Sequence, residues 1–393
     1  MFKYIKDPIY SDYLKFYKDE LDFIDHPYFK RLKKIKQLGS LHEVFPSATH
    51  TRFEHSLGVA HLGEVFVDHL FKNSNIRLTE NNRRIMRNIK IAGLYHDIGH
   101  GPFSHVFDHH VLRKLCPNNK YREHEDRSCL LFETVAKEIG SKNFNAYDID
   151  FIKKAIDPTF PYKKSWELNV VANKINSIDV DKFDYLVRDP YHIGFKCSFD
   201  HTRLLNKTQI IDNEIYFHET VVNNLYDMYH TRYKFHREVY NHNAVKAVEL
   251  MIGDILIDLN SIYNFPEMIG NPEEFGRLND NIIEKVYDYN ELHVGKKLLN
   301  RIERRQLYKE IFRKDGSDVG EVKDYISDNF KDSKETDFHI CKMKFDFCNG
   351  KKSPFPNINF YKKNKKVPYE NLNIRALQPE IFDENVISVY SKK

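Results

Sequence analysis

Between about Asp25 and Leu259 the apolar residues recur at helical spacing, and strand-like alternation is rare. That periodicity is the strongest constraint on the fold: it predicts a mainly α protein built from successive amphipathic helices with short polar breaks. One short strand pair is expected between Asn206 and Phe217, where two apolar runs flank an Asp-Asn turn. After Asn264, the run NFPEMIGNPEEFG reads as a loop, followed by a helical stretch and a β-like tail around HICKMKFDF. We place a boundary near residue 265, giving a helical catalytic domain over 1–265 and a smaller α+β lobe over 266–393.

Polar residues interrupt the apolar stripes at telling places. His55, Val59, Leu62 and Phe66 share one helix face, and Ile85, Ile89, Ala92 and His96 share another, with Asp97 next in line. Val171, Ile175 and Ile178 predict a third stripe that continues through Asp181 and Tyr185 until Pro190 stops the helix. A lone histidine on such a stripe is more often a hydrogen-bonded core residue than a ligand. Four such groups on three helices are different, because an unpaired buried carboxylate costs several kcal/mol. A cation shared by His55, His96, Asp97 and Asp181 satisfies them all. Two imidazoles with two carboxylates suit iron, zinc, manganese, cobalt or nickel, whereas calcium prefers oxygen alone. Four protein ligands leave positions open for water and substrate, an arrangement suited to hydrolysis or to polarising a phosphoryl oxygen.

A second cluster surrounds this core. HDIGHGPFSHVFD supplies His100, one helical turn after His96, then His105 and Asp108, and REHEDRS adds His124 and Glu125. A carboxylate bonded to a histidine fixes its tautomer and raises its basicity. Cations stand beside these elements: Arg52 precedes His55, Lys182 adjoins Asp181, and Arg232, His236 and Tyr240 lie at i, i+4 and i+8. They are candidates for neutralising a polyphosphate.

Composition excludes several classes. The five cysteines lack CxxC spacing, which argues against a zinc knuckle or a disulfide framework. The first residues, MFKYIKDPIY, hold no apolar core for a signal peptide, and no run approaches the roughly 20 apolar residues of a membrane span. An intracellular protein, cytoplasmic or nuclear, without membrane attachment is expected. The net charge of +4 is too small to argue for nucleic acid. The basic stretches KRLKKIK and YKKNKK leave weak single-strand binding as a rival reading.

TRFEHSLGV, AGLYHDIGHGPFSHVFD, HED, VANKINSIDVDKFDYLVRD and NLYDMYHTRYKFHREVYNH follow one another in order. Together they resemble the HD-domain deoxynucleoside triphosphate triphosphohydrolases, closest to the animal branch that joins a SAM domain to the HD domain. The chain starts almost at the HD motifs, so no SAM domain is expected. The resemblance implies hydrolysis of dNTPs to deoxynucleoside and inorganic triphosphate, with a metal-bound hydroxide attacking the α-phosphorus. By resemblance, His55, His96, Asp97 and Asp181 are the metal ligands, and His105 is the general acid, supported by Asp108, His124 and Glu125. His100 lies near the α-phosphate; Arg52, Lys182 and Arg232 bind phosphates, with magnesium on them. Tyr185 and Asp189 meet the deoxyribose, Gln37 and Leu38 meet base and sugar, and Leu38 with Tyr240 crowds a 2′-hydroxyl. The family's regulatory nucleotide site corresponds to Asp25, Lys33, Arg305 and Lys309. His218, Thr220 and Asn243 stand where cations are usual, so the resemblance to that site is incomplete. A homodimer or homotetramer is implied. The rivals are another HD phosphohydrolase, such as a nucleotidase or phosphodiesterase, and a nucleic-acid-binding HD protein.

Overall fold

The computed structural model describes residues 2–140, 144–158, 162, 164–316, 318–372 and 379–393. A short antiparallel pair, β1 (Phe2–Ile5) and β2 (Leu14–Tyr17), leads into α1 (Lys18–Asp25). The long helix α2 (Arg52–Asn73) is started by a capping box between Thr51 and Glu54 and is buried along most of its length. Against it pack α3 (Glu80–Tyr95), capped by Thr79, and α6 (Val180–Ile193), capped by Asp179. Helices α4 (His124–Ile139) and α5 (Ala146–Ile156) close one side, and α7 (Val222–Phe235) and α8 (Asn243–Tyr263) close the other.

The expected hairpin forms as β3 (Thr208–Ile211) and β4 (Glu214–His218), with Asp212 and Asn213 both at positive φ, the pair of left-handed residues a tight hairpin turn uses. Beyond α9 (His293–Glu303), the order β5–β9–β6 gives an antiparallel sheet of Lys309–Asp315, Asp383–Ser391 and Phe338–Asp346, lined by α10 (Val319–Asn329). Strand β7 (Phe360–Lys362) pairs in parallel with β4 and turns back through β8 (Lys365–Val367), joining the late chain to the early hairpin. A mainly helical core with a small β-rich C-terminal region is thus observed, as the periodicity implied.

Four local readings need correction. Residues 170–178 are not helical; α6 begins at Val180. Asn173 Oδ1 accepts from the Ile175 and Asn176 amides, and Asp179 Oδ2 accepts from the Asn173 amide, so side chains take the backbone bonds a helix would make. Pro190 does not stop α6, which runs on to Ile193 and ends at a Gly194 cap; the Leu186 carbonyl, one turn before Pro190, is instead met by the Cys197 thiol at 3.2 Å. His96 to His100 lie beyond the end of α3 rather than along it. The run after Asn264 forms two single-turn helices, Phe265–Met268 and Pro272–Phe275, each with proline in its first turn.

Candidate active site

The end of α3, the second residue of α6 and the first turn of α2 meet at one point. His55 Nε2 and His96 Nε2 are 3.3 Å apart, and Asp181 Oδ1 lies 3.2 Å from the first and 3.6 Å from the second. Asp97 brings its two oxygens to 3.6 Å from His55 Nε2 and 3.5 Å from His96 Nε2. Each ring is turned by its other nitrogen: His55 Nδ1 donates to Asp184 at 2.8 Å and His96 Nδ1 to the Gly93 carbonyl at 2.8 Å. Both Nε2 atoms therefore present lone pairs to each other. Two acceptors do not attract, and donors held at roughly 2.0–2.2 Å around one ion sit about 3 Å apart. His55, His96 and Asp181 are placed so that they could hold a single divalent transition metal, with Asp97 within 3.6 Å of both rings.

Asp184 is the support behind His55. It is fully buried, forked by Arg188 through Nε at 2.7 Å and Nη2 at 2.8 Å. Gly58 makes room for it, since a Cβ there would stand 2.0 Å from Asp184 Oδ1. Arg52, at the start of α2, pairs with Asp97, donates to Ser104 Oγ at 2.8 Å and faces the same opening.

The second cluster assembles beside the first. Phe103 and Ser104 both have positive φ, a strained pair held by Asp280, which accepts from the Phe103 amide at 2.7 Å and the Lys36 amide at 2.8 Å. That kink sets the His105 ring in the opening. His124, in the first turn of α4, stacks on His100 with centroids 3.9 Å apart and bonds Asp108 at 3.1 Å. Arg127 also pairs with Asp108, and His100 Nε2 lies 3.3 Å from Asp97 Oδ1. Desolvation by the cavity walls, then the positive Arg52, pushes the His105 imidazole down to about 3. Burial alone would raise Asp108 and Asp184, yet Arg127 with His124, and Arg188 with His55, hold them well below the usual carboxylate range.

Those two depressed carboxylates stabilise the fold fully above their unfolded value of about 4 and lose that contribution as pH falls below it. The expected result is a urea midpoint that drops as the pH is lowered beneath about 4. A midpoint unchanged down to pH 3 would contradict these pairings.

A cavity of about 650 Å³ opens over both clusters. Asp97, Asp181, His100, His105, His124 and Glu125 line its floor; Arg52, Lys182 and Arg232 line its sides. Gln37 and Leu38 enter from the loop before α2, Tyr185 and Asp189 from α6, and His236 and Tyr240 from the π-helical turn His236–Tyr240 that continues α7. The wider turn keeps His236 and Tyr240 on the cavity face. Asp189 accepts from Tyr240 at 2.6 Å and pairs with His50 at 2.7 Å. Gln37 Oε1 and His100 Nδ1 are buried with no hydrogen-bond partner among the described residues. Asp25, Lys33, Arg305 and Lys309 lie elsewhere, exposed on the surface; Asp25 pairs with Lys30, and Arg305 donates to the Glu43 carbonyl.

Sequence reasoning missed the supporting charges. Arg127, Asp184 and Arg188 are buried near the candidate ligands, and only their spacing from His124 and Asp181 hinted at it. His109, His110, Lys246 and Glu249 also line the cavity. Arg31, counted within a basic surface stretch, is buried and donates to the His100, Ile98 and Leu278 carbonyls, so it braces the HD loop rather than facing solvent. Lys362 and Lys366 of the other basic stretch pair with Glu219 and Asp212. Among the described residues no helix is long and apolar enough to cross a membrane.

Residues 52–189 match the HD domain, and residues 199–344 match the HD associated region. The Dictyostelium discoideum deoxynucleoside triphosphate triphosphohydrolase SAMHD1 homolog is 37% identical over 74% of this chain and 56% of its own length. The chain thus spans little more than half of that relative. Bos taurus SAMHD1 is 34% identical over the whole of this chain and 75% of its own. An HD domain-containing protein of Acanthamoeba polyphaga mimivirus is 35% identical over 86% of this chain and 81% of its own.

Proposed function

Since the chain belongs to the SAMHD1 family of deoxynucleoside triphosphate triphosphohydrolases, we propose that it hydrolyses dNTPs to deoxynucleoside and inorganic triphosphate. The observation that carries this reading is the pair of facing Nε2 atoms beside Asp97 and Asp181, two carboxylates that line a cavity shared with Arg52, Lys182 and Arg232. His55, His96, Asp97 and Asp181 would hold a divalent transition metal (iron, manganese, zinc, cobalt or nickel), which when bound would supply Lewis-acid polarisation of a phosphoryl group and a more acidic water.

The chain's own residues do the rest. Arg52, Lys182 and Arg232 neutralise the polyphosphate, which carries magnesium, and hold its α-phosphorus over the floor. His100, bonded through Nε2 to Asp97, lies near the α-phosphate. His105 donates the proton to the departing 5′ oxygen, with Asp108, His124 and Glu125 as its electrostatic surround. Tyr185, His236 and Asp189 bind the deoxyribose side, Gln37 reaches the base, and Leu38 with Tyr240 leaves no room for a 2′-hydroxyl. Asp25, Lys33, Arg305 and Lys309 are the remnant of a regulatory nucleotide site in a homodimer or homotetramer. In this scheme residues 1–265 hold the chemistry and 266–393 form the supporting lobe.

The acid has a visible consequence. His105 is held neutral in the free protein near pH 7 by desolvation against the cavity walls and by the Arg52 charge. A bound polyphosphate pairs with Arg52 and adds negative charge, which raises the imidazole pKa and loads the acid. The falling limb of kcat against pH should therefore lie at higher pH than that of kcat/KM. Coincident limbs would contradict the assignment. The pathway itself is tested by hydrolysis in 18O water: one label in triphosphate and none in the deoxynucleoside supports attack at phosphorus, and label in the nucleoside would sink it.

A further inference from the structure

We propose that Tyr10 is a positioning residue for the metal centre, and that the segment between β1 and β2 is a working part of that centre's scaffold. The inference rests on the metal-site reading given above. The segment is near the chain start, yet Asp7 is 3% exposed and Tyr10 is 9% exposed. Asp7 Oδ1 caps its own turn by accepting from the Ile9 amide at 2.8 Å, and its Oδ2 accepts from Arg188 Nη1 at 3.0 Å. The Tyr10 hydroxyl donates to Asp184 Oδ1 at 2.5 Å. The Tyr10 ring rests edge-on against His61 on α2, with centroids 4.9 Å apart, which fixes the hydroxyl's direction.

Asp184 therefore accepts four hydrogen bonds: two from Arg188, one from Tyr10 and one from His55 Nδ1. Its Oδ2 serves His55 and Arg188 Nε; its Oδ1 serves Tyr10 and Arg188 Nη2. With both oxygens held, the carboxylate plane cannot turn, and the His55 ring is kept with Nε2 directed at Asp181 and Asp97. Without the Tyr10 hydroxyl, Oδ1 keeps one donor, and the carboxylate is free to tilt with Arg188. The chain from the N-terminal segment to the metal ligand is thus Tyr10–Asp184–His55, with Asp7 steadying Arg188 from the other side. Groups that orient a metal-bound imidazole change metal affinity and ligand-field geometry without touching the ion.

The test is Tyr10→Phe in the whole 393-residue chain, which removes one oxygen and keeps the ring, alongside Asp7→Asn, measured well below their melting temperatures. Manganese affinity, by electron paramagnetic resonance of free ion, should fall about 10- to 100-fold for Tyr10→Phe, and less for Asp7→Asn. The visible absorption of the cobalt form should shift, and kcat should recover as metal is raised while KM for dNTP stays unchanged. A lower melting temperature with unchanged manganese affinity and cobalt spectrum would mean that Tyr10 only packs, and would overturn the proposal. If Tyr10→Phe does not fold, the same readouts on Asp7→Asn decide. Failure of the unmodified protein to bind manganese or cobalt at all would instead remove the metal-site reading, a result distinguishable from failure of Tyr10 alone.

Discussion

Asp181→Ala is expected to leave the fold in place while removing both bound metal and turnover. The side chain sits at the cavity floor, 30% exposed, so truncation opens no cavity in the core. Its Oδ1 lies 3.2 Å from His55 Nε2 and 3.6 Å from His96 Nε2, and without it Asp97, already paired with Arg52, is the remaining anionic donor. Loss of several kcal/mol of transition-state charge stabilisation corresponds to a fall in kcat of roughly 10³-fold or more. Metal analysis of the purified variant and dNTP turnover check this together. A variant that keeps its metal and a tenth of its rate would remove Asp181 from the ligand set.

His105→Ala should show the opposite separation. The ring faces the cavity and sits 5.1 Å from His100 and 5.7 Å from His124, centroid to centroid, so its removal leaves the four ligands as they are. Metal content should be unchanged, and kcat should fall by about 10²–10⁴-fold, the usual contribution of a positioned general acid. A triphosphate ester with a nitrophenyl leaving group needs no protonation, so the variant should hydrolyse it nearly as fast as the unmodified protein does. An equal loss on both substrates would assign His105 to binding rather than proton transfer.

Much of this candidate site was legible because a polar side chain on an amphipathic helix breaks a pattern. His55 and His96 interrupt apolar stripes, and the dipeptide His96-Asp97 sits where α3 ends and packing loosens its demand. Asp181 was singled out for a partly wrong reason. The stripe from Val171 to Ile178 is buried at both of those residues, but as a loop folded by Asn173 and Asp179, and only the stretch from Val180 is helical. Side-chain competition of that kind gives the same apolar spacing as a helix, so periodicity alone does not separate them. The supports were harder to see because their partners are distant in the chain. Asp184 answers to Tyr10 across 174 residues, and Arg31 to the Leu278 carbonyl across 247. Buried charge looks like surface charge until its partner is known. Pro190 taught a similar lesson: the carbonyl one turn before it meets Cys197, a partner that local rules do not supply.

The account's central claim is tested most directly by incubating the purified chain with each dNTP and each rNTP, in manganese or iron with magnesium, with and without a guanine nucleotide. Products are separated by ion exchange. Deoxynucleoside and inorganic triphosphate in equal amounts, from dNTPs and not from rNTPs, is the predicted result. Monophosphate with pyrophosphate, or no product under any of these metals and nucleotides, would contradict it.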